Sequence, residues 1–258
     1  MRRTILSLFT AAVLLMAGYP AKAGSNDNPV TVFAAASLTD ALPALAAAWH
    51  QSTGKPLPRF SFGPSAMMAR QVAAGAPANI VLSANPEWIK FLEDRGLLAI
   101  PSKTVAHNRL VLVRPGSGQL TDQMLTPERV GSLLNSGRLA IADPAIAPAG
   151  TYARDYLQGI GLWDQLADRL AMGSNVRQTL VLIERGGMTG FVYATDARAS
   201  ERVDVLGYVP ATAIPPIAYA AGLTRRDGKD AESFYRFLTS HEAAPVWQRF
   251  GFEAPVSK

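Results

Sequence analysis

The chain contains no cysteine. That excludes disulfides, a thiolate nucleophile, a thiolate zinc site and a lipid-modified cysteine that could tether it to a membrane. Histidine is almost as scarce: His50, His107 and His241 are the only three. None stands in a strand-end turn beside an acid at motif spacing, and H-E-x-x-H is absent. Charged residues make up 17% of the chain and form no basic run in its body, so nucleic acid is not an expected partner. Gly116–Ser117–Gly118 lacks the third glycine of the dinucleotide fingerprint and reads as a loop. The nucleophile elbow G-x-S-x-G is missing too, because Ser65 stands in Gly63–Pro64–Ser65–Ala66–Met67 with no second glycine. No apolar run beyond residue 24 is long enough to span a bilayer. These absences point away from an enzyme and away from a resident metal or cofactor.

What is present starts with a targeting segment. Arg2–Arg3, a largely apolar stretch over residues 5–17 and Ala21–Lys22–Ala23 before Gly24 form a cleavable secretory signal peptide, residues 1–23. Its apolar core is short against the roughly 20 residues of a membrane span. Removing 23 residues from 258 leaves 235, which suits one large domain or two lobes of about 100–150 residues each, with a core that needs no disulfides. Arg2, Arg3 and Lys22 carry three of the +5 formal charges, leaving a near-neutral +2 for the exported chain.

The exported part alternates strands with helices, the pattern of an α/β fold with mostly parallel sheet. Residues 30–49 form the opening unit: a β-branched and aromatic strand, the small turn Ala34–Ala35–Ala36, then Ser37 where a helix should begin, with Asp40 three residues on as in a capping box. Pro43 predicts a bend or a late start in that helix, and Gly54 its end. A strand over 59–62 feeds Gly63–Pro64–Ser65 and a helix over 66–74. A third strand, 80–82, feeds Asn85–Pro86–Glu87, an N-cap, N1 proline and early acid. A second series has strands over 110–113, 139–142, 190–193 and 203–206, with helices over 151–158 and from Val176 to 185. Residues 217–220 and helices over 231–238 and 242–250 close the chain. Crossovers at His107–Asn108–Arg109 and Pro215–Pro216 give two α/β lobes around a hinged cleft. Lobe 1 is residues 24–108 with 217–258, and lobe 2 is residues 109–216.

Ligands in open α/β sheets bind beyond the carboxyl ends of strands, and five positions fall there. Ser37 and Ser65 each follow a strand at a helix start. Either alone reads as a helix cap, but together, beside small residues, they read as two hydroxyl donors facing one ligand. Ala149, before Gly150, and Val176 stand at helix starts whose backbone N–H groups lack intrahelical partners. Helix N-termini hold anions without any lysine or arginine. Tyr193 ends a strand, where its hydroxyl can reach a cleft or simply pack.

Six ordered segments, AAASLTDAL (34–42), FGPSAMMARQ (62–71), GAPANIVLSANPEW (75–88), GRLAIADPAIAPAGTYA (137–153), NVRQTLVLIERG (175–186) and GFVYATDA (190–197), resemble the periplasmic molybdate-binding proteins of ABC importers. The similarity runs in order over about residues 30–252. It implies a two-lobed type II periplasmic binding protein fold and a monomer that captures molybdate, and tungstate, for a membrane permease. It also implies that Ser37, Ser65, Ala149, Val176 and Tyr193 hold the oxyanion. Two departures stand out. Pro64 replaces a serine common in the family and has no N–H, so Ser65 or Ala66 must supply that donor. Asn79 stands where the family often has aspartate, a change expected to affect local structure rather than the ligand. Three other readings compete: a binder of sulfate, phosphate or iron, a secreted serine hydrolase with a histidine within reach of Ser37 or Ser65, and the effector lobes of a transcription regulator.

Overall fold

The computed structural model describes residues 29–226 and 228–255. The signal segment expected over residues 1–23 lies outside the described residues. The first half of the chain lays down β1 (Thr31–Ala35), α1 (Ala41–Thr53), β2 (Arg59–Gly63), α2 (Ser65–Ala73), β3 (Ile80–Ser83), α3 (Pro86–Glu93) and β4 (Lys103–Asn108). A single residue, Arg109, separates β4 from β5 (Leu110–Pro115), which opens a second body. Then come α4 (Pro127–Leu133), β6 (Leu139–Ala142), α5 (Pro148–Gly159), α6 (Trp163–Leu166), β7 (Leu170–Gly173), α7 (Val176–Gly186), β8 (Thr189–Tyr193), α8 (Ala194–Arg198) and β9 (Val203–Tyr208). The chain returns through β10 (Ile217–Leu223) and ends with α9 (Ala231–Leu238) and α10 (Ala244–Arg249).

Two five-stranded sheets result, ordered β2-β1-β3-β10-β4 and β7-β6-β8-β5-β9, one in each lobe. The expectation of mostly parallel sheet needs correction. In each sheet two strand pairs are parallel and two antiparallel. The cause is the double crossover. β10 comes back from the other lobe and inserts between β3 and β4, antiparallel to both, while β5 enters its sheet antiparallel to β8 and β9. The inner strands β3, β6 and β10 are buried along their whole length, as their apolar sequences require.

The opening unit also differs from its expected form. Residues Ala36–Leu38 make a short 3-10 turn, and α1 begins only at Ala41. Pro43 therefore sits in the first helical turn, where its missing N–H has no intrahelical acceptor to lose, and no bend is needed. Ser37 and Asp40 do not form a capping box: Asp40 occupies the N-cap position without a side-chain cap bond. Both side chains are drawn to partners elsewhere. Gly54 does end α1, in the left-handed conformation with φ 68°. Helix α5 starts three residues earlier than its sequence suggests, at Pro148. That start needs a glycine at 150, because a Cβ there would lie 2.0 Å from the carbonyl oxygen of Ala142.

Candidate functional site

The turns after β1, β2, β6 and β7 and the end of β8 meet between the lobes. Ser37, Ser65, Ala149, Val176 and Tyr193 all line one cavity there, with Gly63, Pro64 and Asn175 among its other walls. The cavity is about 10 Å³, on the scale of a single water-sized centre. Small-molecule pockets typically run to ~300–1,000 Å³. A space this small suits a compact ligand better than a sugar, peptide or nucleotide. No charged side chain lines it.

Each serine hydroxyl already has one partner within the protein. Ser65, 2% exposed, accepts the backbone N–H of Ala84 on its Oγ at 3.2 Å. An N–H can only donate, so the Ser65 hydroxyl hydrogen is left to point elsewhere. Ser37, also 2% exposed, shares a 2.7 Å hydrogen bond with the hydroxyl of Tyr219. Asn108 belongs to the same network. The Oδ1 of Asn108 accepts the N–H of Arg109 at 2.9 Å, so its Nδ2 is the donor, to Thr195 Oγ1 at 2.9 Å and to the Tyr219 hydroxyl oxygen at 3.4 Å. Either hydroxyl can donate in the Ser37–Tyr219 bond, since a phenol oxygen that accepts from Asn108 keeps a second lone pair. Hydrogen-bonded hydroxyls of this kind polarise one another.

Backbone groups complete the wall. Asn175 caps α7 by accepting the N–H groups of Arg177 and Gln178 at 3.0 and 3.1 Å, which leaves the first N–H, that of Val176, for the cavity. Ala149 is the second residue of α5, and the N–H of Gly150 after it is spent on Ala147 at 2.9 Å. At α2, Pro64 has no N–H, and the N–H of Ala66 bonds Ile146 of the other lobe at 3.2 Å. Ala66 is thus occupied, and Ser65 is the residue of α2 that can supply both N–H and O–H. Asn79 lies apart from the cavity: its Oδ1 accepts the N–H of Thr31 at the start of β1 at 2.9 Å.

Tyr193 is 1% exposed, and its hydroxyl has no hydrogen-bond partner among the described residues. Burial pushes its pKa well above the usual phenol value, so it keeps its proton and remains a donor. Leaving such a hydroxyl unpaired costs roughly 1–3 kcal/mol. Its ring packs edge-on to Tyr219, with centroids 6.0 Å apart. Among the described residues the partners of the serines are Tyr219 and Ala84 rather than a histidine, and His50 is engaged with the carbonyl of Lys55.

Three supporting residues were not evident as such in the sequence. Asn175 carried a signal, as an asparagine just before a helix. Tyr219 and Asn108 carried none, since they read as ordinary strand and crossover residues.

Comparison with known proteins places this geometry. A family model described as bacterial extracellular solute-binding protein matches residues 30–253. The molybdate-binding protein ModA of Haemophilus influenzae is 35% identical over 255 residues, covering 98% of this chain and 99% of that protein. ModA of Escherichia coli is 36% identical over 256 residues, with the same coverage. Among solved structures, the Azotobacter vinelandii periplasmic molybdate-binding protein superposes with a TM-score of 0.75 at 25% identity, covering 88% of this chain and 99% of that one. The chain belongs to the bacterial extracellular solute-binding protein family.

Proposed function

We propose that the protein captures molybdate, and tungstate equally, in the periplasm and delivers it to the membrane permease of an ABC importer. In this reading it is a monomer without a cofactor, exported by residues 1–23. Lobe 1 (residues 24–108 and 217–258) closes on lobe 2 (residues 109–216), and Ser37, Ser65, Ala149, Val176 and Tyr193 hold the oxyanion. The observation that carries the reading is the buried Tyr193 hydroxyl, unpaired among the described residues, facing a cavity that also presents two serine hydroxyls and two helix starts. A site made of donors is built for a ligand that only accepts.

A dianion buried without a countercharge is costly unless hydrogen bonds take up its charge. Here the donors are held in place before the ligand arrives, two hydroxyls by their hydrogen bonds within the protein and two N–H groups by helix starts. Phosphate near neutral pH carries a proton that needs a strong acceptor, and the lining offers no carboxylate to take it. Sulfate is fully deprotonated, so only size separates it from molybdate. Its shorter bonds would leave donors short of contact, at about 1–3 kcal/mol each. Molybdate and tungstate are nearly the same size and should bind alike. Calorimetric titration with the four anions tests the reading: tight binding of molybdate and tungstate with neither sulfate nor phosphate is expected, and tight sulfate binding would overturn the size argument.

A further inference from the structure

Three residues beyond Ser37 the lobes meet a second time. The carboxylate of Asp40, in lobe 1, lies 2.6 Å from an Nη of Arg177, in lobe 2. The same guanidinium places its Nε 2.5 Å from the carboxylate of Asp196, whose side chain is 0% exposed. Arg177 directly follows Val176, and Asp40 belongs to the turn that presents Ser37. Neither charged residue lines the anion cavity. Instead both face a neighbouring cleft of about 300 Å³, together with Arg198 and Arg249.

The two carboxylates differ in kind. Asp196 shares its lobe with Arg177, is sealed from water and holds the guanidinium in place whatever the lobes do. Asp40 lies across the cleft and reaches Arg177 only when the lobes meet. A carboxylate close to an anion site works against the ligand on Coulomb grounds alone, which makes a separate task for it necessary. We propose that the Asp40–Arg177 pair is an interlobe latch, and that these two positioning residues set the lifetime of the closed, anion-loaded state. The inference rests on the anion-binding reading for its ligand but on the ion-pair geometry for its mechanism.

Asp40→Asn tests it, because the change is isosteric and the side chain is 44% exposed. Removing Arg177 instead would strand the buried Asp196 carboxylate and confuse unfolding with opening. A half-exposed pair of this kind is worth up to about 1 kcal/mol, so stopped-flow measurement should show molybdate leaving about two- to fivefold faster, with an unchanged association rate. Kd should weaken by the same factor. The gap between wild type and variant should close in high salt, and Asp40→Glu should recover part of the loss. Simple charge repulsion makes the opposite prediction, faster association and tighter binding in Asp40→Asn, and that result or an unchanged off-rate would overturn the latch. With no native cysteine, spin labels can be placed through Gln51→Cys and Arg185→Cys, on exposed sites in the two lobes. Without any anion, Asp40→Asn should increase the population away from the closed interlobe distance, and an unaltered distribution would also sink the proposal. If the wild-type protein bound none of the four anions, the anion reading would fail while the label distances still decided the latch.

Discussion

Two polar seams join the lobes, and the same two elements build both. Ser37 faces Val176 across the anion cavity, and Asp40 meets Arg177 a few residues away. Yet the first seam contains no charge and the second consists of little else. The difference shows how the fold divides its electrostatics. A guanidinium in the cavity would attract any anion, and its charge would have to be separated from the ligand at every release. Fixed dipoles give less attraction but more geometry: they fit a ligand of one size and protonation state. Full charges sit where both partners belong to the protein and can be matched in advance.

The sharpest way to break that contrast is to bring a carboxylate into the neutral seam. Ser65→Asp puts one negative charge against a dianion. At about 4 Å and an effective dielectric near 20, each charge pair costs about 4 kcal/mol. Molybdate binding at pH 7 should fall by at least about a thousandfold in calorimetry, while circular dichroism reports an intact fold. The carboxylate of Asp40, one seam away, is argued to support binding, so the same chemical group should have opposite effects at the two places.

Tyr193→Phe removes a donor without adding a charge. A hydrogen bond to a charged acceptor is worth about 1.5–3 kcal/mol, so affinity should drop by roughly 10- to 100-fold. The ligand-free protein should melt no lower than wild type, because the hydroxyl it loses is buried and unpaired there. A marked loss of thermal stability would instead mean that the tyrosine is needed for packing.

The charged seam can be addressed through pH. Burial pushes the Asp196 carboxyl up to about 6, against the opposing pull of Arg177. Its folded pKa thus exceeds the unfolded value near 3.8. The folded state holds the extra proton, and the stability it gives is complete below 3.8 and lost as pH rises through 6. From pH 7.5 to pH 5 this group should add on the order of 1 kcal/mol, or a few °C in the melting temperature of a chain this size. Asp196→Asn should flatten that part of the profile, whereas Ser37→Ala, on the neutral seam, should leave it alone.

Much of this was readable in the sequence, and the unreadable part has a common cause. The residues lining the interlobe cavity follow local rules: a strand end, a small turn, a helix start. Ser65, Ala149, Val176 and the cap at Asn175 each show that pattern within a few residues of sequence. What sequence could not show is where a polar side chain goes when it has a choice. Ser37 and Asp40 have the spacing of a capping box, but a buried tyrosine hydroxyl and a guanidinium from the other lobe offer better partners. Both arrive from far along the chain, Tyr219 from 182 residues away. The mixed sheets were hidden for the same reason, since a strand's direction depends on which lobe the chain has just left.

The smallest expected effect probes the least visible part of the neutral seam. Tyr219 holds the Ser37 hydroxyl by a 2.7 Å hydrogen bond and itself accepts from Asn108. In Tyr219→Phe the Ser37 hydroxyl keeps its place on the turn but loses the bond that fixes its orientation. It can then rotate among several orientations, and the ligand must restrict it again on binding. That costs less than a lost hydrogen bond, about 0.5–1 kcal/mol, or two- to fivefold in affinity. Adding Ser37→Ala should remove the effect altogether, because the tyrosine hydroxyl then has nothing to orient. If Tyr219→Phe weakened binding as much on top of Ser37→Ala as it does with Ser37 in place, the tyrosine would be acting on the shape of the cavity rather than on the direction of a proton.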